Sequence, residues 1–166
     1  MTFTLREAVM PQDQAVLTRF MAGLCDLEHA LHPGRQSGAD GAEAHLLYLA
    51  REVAENNGLI ILAETAPGSA AGMMICAVED LGGHYLYPEN RVVGYVYDLW
   101  IEPAHRGSAL LDKLLDHAEA HFRSIGITLM MINHLAGNDR AAAAYRKRDF
   151  RPVEIMLERR IPPEET

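Results

Sequence analysis

Between residues 92 and 126 the chain changes its period abruptly. Val92-Val93-Gly94-Tyr95-Val96-Tyr97-Asp98-Leu99-Trp100-Ile101 is apolar and rich in β-branched and aromatic residues, as a strand requires. Pro103 closes it, and Leu110, Leu111, Leu114, Leu115, Ala118, Phe122 and Ile125 then recur at helical spacing until Gly126. A strand that turns directly into an amphipathic helix must bury that helix against a sheet, so the junction commits the chain to a layered α/β arrangement.

The rest of the sequence supplies the other layers. Residues 2–9 alternate with Phe3 and Leu5 on one face and read as a strand; Asp13 precedes Val16, Leu17, Phe20, Met21, Leu24, Leu27 and Leu31, an Asp-capped helix stopped by Pro33-Gly34. Ser37-Gly38-Ala39-Asp40-Gly41 reads as a loop before a second helix ending at Asn57-Gly58. Residues 59–63 and 71–78 are apolar strands joined through Pro67-Gly68, and 81–90 is a longer loop with His84, Tyr85 and Tyr87 that could reach over a site. A strand over 127–132, an Ala-rich helix over 138–148 and a last alternating strand through Val153, Ile155 and Leu157 complete the order β-α-α-β-β-β-α-β-α-β. The expected organisation is one mixed α/β domain over 1–160, with 161–166 as a flexible tail.

Composition narrows the function classes. A formal net charge of −8 disfavours non-specific nucleic-acid binding, which depends on cations neutralising phosphates, and suits a small or cationic substrate. The N-terminus has no basic stretch followed by an apolar run, and no apolar run elsewhere could span a bilayer, so a cytoplasmic protein without membrane or nucleic-acid partners is expected. Cys25 and Cys76 sit apart among apolar neighbours and read as buried free thiols. His117 and His121 are four apart but have no third ligand nearby, so they read as solvated helix shoulder, and no metal is expected.

At the junction itself, the first N–H groups of the helix lack intrahelical partners and, with the positive helix end, suit an anion. Arg106 adds a fixed charge, Gly107 permits a positive φ, and Ser108 can cap or donate to an oxygen. The same residues also suit an ordinary loop with Ser108 as cap. There is no Gly-Lys-Ser/Thr of a phosphate loop, no Gly-x-Gly-x-x-Gly after an early strand, and Ser108 lacks the flanking glycines of a nucleophile elbow, which sets aside nucleotide hydrolases and esterases.

The run from Asp98 through Ile101 to Arg106-Gly107-Ser108-Ala109-Leu110-Leu111, followed by Asn138-Asp139-Arg140-Ala141-Ala142-Ala143-Ala144-Tyr145 and Asp149-Phe150, resembles the two core motifs of the GNAT N-acetyltransferase superfamily. Within it, the spacing is similar to that of spermidine/spermine N-acetyltransferases. The resemblance implies acetyl-CoA as cosubstrate on a splayed central strand pair. Leu99, Trp100 and Ile101 would offer backbone groups to the pantetheine arm, and Arg106, Gly107, Ser108, Ala109, Leu110, Leu111 and Asp112 would hold the pyrophosphate. Asn133 would line the facing wall, and Asn138 and Arg140 would reach the cofactor from the next helix. It further implies a homodimer. Ala109 and Leu111 stand where the family has small residues, and Asp149 stands for a glycine; Asp tolerates the left-handed region better than most residues, so a helix end there is compatible.

Amine acetylation needs a base, carbonyl-polarising donors and an acid for the departing thiolate. The resemblance makes Tyr145 the acid. For the base, Asp98, Tyr97 and Glu28 compete; strict alternation allows only one of Tyr97 and Asp98 to face a given cavity. The resemblance places Leu27 and Glu28 at the amine-contacting end of the first helix, and Tyr97 is a further candidate to touch the amine; by spacing, His32 lies four residues beyond Glu28 and could share its face, with Tyr48, His84, Tyr85 and Tyr87 nearby. The expected function is direct acetyl transfer from acetyl-CoA to a primary amine of a small molecule. The alternatives are a catalytically silent acyl-CoA-binding module and a protein or peptide N-acetyltransferase.

Overall fold

A computed structural model describes residues 2–162. Five strands form one sheet in the order β1-β2-β3-β4-β5: β1 (Thr4–Glu7), β2 (Leu59–Ala66), β3 (Ser69–Asp80), β4 (Val92–Ile101) and β5 (Met130–Ile132). The first four pair antiparallel, β4 and β5 parallel. Helices α1 (Gln14–Leu31) and α2 (Gly38–Glu55) cover one face and α3 (Leu110–Ser124) the other, while α4 (Asp139–Arg146) follows β5. Each face has its own core. Leu17, Phe20, Met21, Leu46 and Leu49 meet Leu62, Met73 and Ile75 under α1 and α2, and Leu110, Leu114, Ala118 and Phe122 meet Ile61, Met74 and Val96 under α3. Residues of opposite parity along β2 and β3 therefore feed opposite cores, as the pleat requires. Among the described residues no helix is long and apolar enough to cross a membrane.

Four sequence expectations change. Ser37 to Gly41 is not a loop but the cap and first turn of α2: the Ser37 hydroxyl accepts from the Asp40 amide. Its glycines mimic a loop in sequence; a Cβ at Gly38 would lie 2.6 Å from the Ala22 carbonyl oxygen, so the residue is set by close approach of α2 to α1. Asp13 occupies the N-cap of α1 but makes no cap bond. The strand expected over 127–132 is confined to Met130–Ile132. The last strand is not formed: residues 151–162 have no sheet partner and are all exposed. Of the expected tail, Ile161 and Pro162 belong to that exposed segment, and 163–166 lie outside the described residues. Cys76 is buried and Cys25 half-buried, both as free thiols, and burial pushes their pKa values up, to about 12 and about 11.

Asp13 instead ties β1 to α1. Its carboxylate accepts two bonds from the Arg6 guanidinium, at 2.7 and 2.8 Å, and one from the Val9 amide at 2.7 Å, while Arg6 also reaches Glu64 at 3.2 Å. The Arg6 bonds chiefly hold the Asp13 carboxyl down at about 2. A folded-state pKa below the unfolded value contributes stability above about pH 4, and that contribution disappears as pH falls through the folded value. Asp13→Asn is expected to lower stability by about 1 kcal/mol at pH 7. The gap in melting temperature from the parent, followed by calorimetry, should close between pH 5 and pH 2.

Candidate active site

The site begins where β4 and β5 part. They pair only at Gly94↔Met130, Tyr95↔Met131 and Val96↔Ile132, whereas β4 continues to Ile101. Its residues 97–101 thus have β3 on one side and no strand on the other, and their main-chain groups border a cleft. At the same point β4 is bulged: Ile75 pairs with Asp98 and Cys76 with Val96, leaving Tyr97 as the extra residue. The bulge breaks the strict alternation expected from the sequence. Val96 and Leu99 enter the α3-side core, Tyr97 and Trp100 pack on the α1–α2 side, and Asp98 also turns towards α2. Tyr97 and Asp98 therefore face the same layer, which alternation alone forbids.

At the far end of the cleft β4 leads into the start of α3. A short 3-10 turn at Pro103–His105 precedes Arg106, and Gly107 has φ +79°, a left-handed turn that favours glycine. Ser108 donates its hydroxyl to the His105 carbonyl at 2.6 Å and accepts the Leu110 amide at 3.3 Å. The Leu110 side chain is buried in the core, so this residue has neither side chain nor amide to spare for a ligand. Among the described residues, the amides of Gly107, Ala109, Leu111 and Asp112 have no hydrogen-bond acceptor. Leu111 is half-buried, and Asp112 is exposed 3.8 Å from Arg148.

Arg106 is fixed from two sides. Its Nε donates to the Ile101 carbonyl at 2.8 Å and its guanidinium stacks 4.6 Å from the Trp100 ring, which leaves the terminal nitrogens uncommitted. Burial first, and the nearby Arg140 second, pull its pKa below the usual arginine value. Glu102, the adjacent carboxylate, is ion-paired with Arg19. Two guanidinium groups close enough to repel, beside amides without acceptors at a helix start, fit a doubly charged pyrophosphate.

The second wall is built by the segment after β5. Asn133 Nδ2 donates to the Tyr95 hydroxyl at 2.9 Å, and Asn138 caps α4 by accepting the Ala141 amide at 3.2 Å. Asp149 adopts φ +63°, the left-handed conformation expected for it after α4. Tyr145 lies 6.3 Å from the His134 ring and 6.0 Å from Phe150, centroid to centroid. Burial, then the carboxylates of Asp98 and Glu28, push its phenol up to about 12.

The Asp98 end of the cleft contains a residue that the sequence motifs do not point to. His45 Nε2 stands 3.0 Å from the buried Oδ2 of Asp98, an oxygen that meets no well-aligned hydrogen-bond donor among the described residues. Asp98 raises the His45 pKa above the usual value, with burial opposing. The signal was present: His45 shares a helical face with Ala42 and Leu49, both buried, so a histidine stands on the inward stripe of α2. Glu28 is half-buried, ion-paired with Arg35 at 3.4 Å, and burial raises its carboxyl above the usual range. Leu27 is exposed beside it. Tyr97 points past this cluster: burial, then Glu79, raise its pKa. Tyr48 is stacked beside His45 with ring centroids 6.4 Å apart, and His84, Tyr85 and Tyr87 are exposed on their loop. Among the described residues, no group of three or more His, Cys, Asp or Glu side chains is placed to hold a metal.

The model of the acetyltransferase (GNAT) family matches residues 23–150. Solved structures of low sequence identity share the fold. An aminoglycoside antibiotic 6′-N-acetyltransferase from Acinetobacter haemolyticus is 17% identical, covers 97% of this chain and 99% of its own, and superposes with a TM-score of 0.69. A glucosamine-6-phosphate N-acetyltransferase from Arabidopsis thaliana is 15% identical over 98% and 100% of the two chains, with a TM-score of 0.66. A predicted acetyltransferase from Clostridium acetobutylicum, crystallised with acetyl-CoA, is 19% identical over 96% of both, with a TM-score of 0.71. No curated protein matches by sequence. A family model that spans both walls of the parted strands and the helix start places the chain in the GNAT acetyltransferase family.

Proposed function

We propose that the protein transfers an acetyl group directly from acetyl-CoA to a primary amine of a small cationic molecule. The observation that carries this reading is the arrangement along β4. The His45–Asp98 pair meets the strand at one point, and the Arg106–Arg140 pair lies roughly 10 Å further on, three residues along the same unpaired edge. A proton-handling group and an anion cradle are thus held at opposite ends of one cleft.

Acetyl-CoA supplies the activated acyl group as a thioester. Arg106, Arg140 and the amides of Gly107, Ala109, Leu111 and Asp112 fit its pyrophosphate, and the free edge of β4 from Asp98 to Trp100 fits the amide-rich arm. The Ile101 carbonyl is engaged by Arg106 and serves to hold that side chain. Asn133 and Asn138 act as scaffold, one joining β4 to the second wall and one starting α4.

Glu28 and Asp98 place two carboxylates at the acceptor end, which suits a substrate that arrives as an ammonium, including a polyamine. In the tautomer protonated at Nε2, the nitrogen beside Asp98, His45 keeps a lone pair on Nδ1 and can take one ammonium proton. The neutral nitrogen then forms its bond to the acyl carbon as the carbon–sulfur bond breaks. Tyr145 gives its hydroxyl proton to the sulfur and recovers one from the new amide nitrogen, so both protons of the former ammonium are accounted for. The same reading treats residues 1–160 as one catalytic unit of a cytoplasmic protein.

A thiol-release assay over a panel of amines tests the activity. Turnover of diamines and polyamines is expected, and binding of acetyl-CoA without turnover of any amine or peptide would instead identify a silent acyl-CoA-binding module. Tyr145→Phe should reduce kcat about 100-fold or more while leaving acetyl-CoA affinity within about twofold. Arg106→Gln should weaken acetyl-CoA about tenfold or more with little change in kcat at saturation.

Because the pair with Asp98 raises the His45 pKa, the rise of kcat/KM with pH should fall above about 6.5, the unperturbed histidine value. Asp98→Asn should move that limb to lower pH, since it removes the chief cause of the elevation. His45→Gln should abolish it.

A further inference from the structure

We infer that Arg35 competes with the second ammonium of a diamine for the Glu28 carboxylate, and so sets how far the protein prefers diamines to monoamines. This rests on the proposed transfer to a cationic amine and adds to it a residue that selects among such amines. Four stretches of chain meet at the Asp98 end of the cleft. Asp98 on β4 and Glu28 on α1 bring two carboxylates, His45 on α2 stands 3.0 Å from Asp98, and Arg35, on the turn between α1 and α2, lies 3.4 Å from Glu28.

These groups act on one another as a single cluster. Arg35 and Glu28 both bear on His45, and Asp98 and Glu28 both bear on Cys25 and on the Tyr145 phenol. With His45 neutral, as a base must be, two carboxylates and one guanidinium leave a single net negative charge. One ammonium balances that charge. A diamine brings a second cation, and the balance then holds only if Arg35 gives up Glu28 to it.

The Arg35–Glu28 pair is of the kind that exchanges. It is a contact at 3.4 Å, the Arg35 side chain is 53% exposed, and such pairs contribute little to stability. The Arg6 guanidinium, by contrast, grips Asp13 through two bonds of 2.7 and 2.8 Å. The Arg35 main chain is nonetheless anchored: its amide donates to the His32 carbonyl at 2.9 Å, and its own carbonyl lies 2.7 Å from His29 Nδ1. The side chain can therefore leave Glu28 while the turn stays in place. Glu28 is half-buried, so its ionised form needs a cation beside it, and a guanidinium and an ammonium both serve.

Calorimetric binding of 1,4-diaminobutane and of butylamine to the full-length protein, with coenzyme A present, tests the competition. Arg35→Gln should strengthen the diamine about fivefold relative to the monoamine. Arg35→Lys, which keeps the charge, should hold the parent ratio within about twofold, and in a Glu28→Gln background Arg35→Gln should move the ratio by less than about twofold. A second readout needs no amine. His45 faces Asp98 from β4, Glu28 from α1, Arg35 from the turn and Tyr48 on its own helix, and Arg35 lowers its pKa, so Arg35→Gln should move the His45 titration followed by NMR to higher pH. An unchanged ratio in Arg35→Gln overturns the inference, as does a change that survives in the Glu28→Gln background or a His45 titration that stays put. A parent that binds neither amine overturns the small-amine reading and this inference together, whereas two amines bound in a ratio indifferent to Arg35 overturn the competition alone.

Discussion

Everything at the cleft depends on β4 losing one neighbour while keeping the other. From Gly94 to Val96 the strand is held on both sides; beyond it, only β3 remains, and the main chain on the other side borders the cleft. A sheet normally satisfies such groups internally, so an interior strand with a free edge is a place where a ligand can complete the ladder. The bulge at Tyr97 acts at the same point. By inserting one residue it turns Asp98 towards α2 while Leu99 and Ile101 still pack under the sheet against α3, so the strand keeps both cores and still supplies a carboxylate to the site.

How much of this the sequence disclosed follows from the range of the interactions involved. The helices and long strands were legible because each is a periodic pattern read locally, and the junction at Arg106 to Leu111 was legible because strand, turn and helix are contiguous. The bulge was not, since it depends on β3 having one residue fewer than β4 between paired positions. The first turn of α2 was misread because two glycines look like a loop, whereas Gly38 answers to a contact with α1. The last strand was read from a sound alternation at Val153, Ile155 and Leu157; alternation reports that a segment can pair, and leaves the partner unspecified.

The candidate site divides along the same line. Arg106, Gly107 and Tyr145 lie within motifs and could be named from their surroundings in the chain. His45 approaches Asp98 from an element more than fifty positions earlier, and only the packing of α2 on the bulged strand brings them together. Glu28 and Arg35 join the same cluster from the end of α1 and the turn beyond it. The Asp98 end of the cleft is thus assembled from three distant stretches, while the Arg106 end is largely one continuous loop. Chains of this fold can accordingly vary the first with little disturbance to the second.

The closeness of Arg106 and Arg140 has a consequence for the folded state itself. Two like charges held near each other, one of them half-buried, oppose the very packing that positions them, and that opposition is part of the folding free energy of the ligand-free chain. An anion lodged between them removes the repulsion and adds attraction, so binding and folding become coupled through one pair of side chains. Added salt screens that repulsion, so the meeting of the α3 start with the α4 start is a place where ionic strength acts on the fold itself.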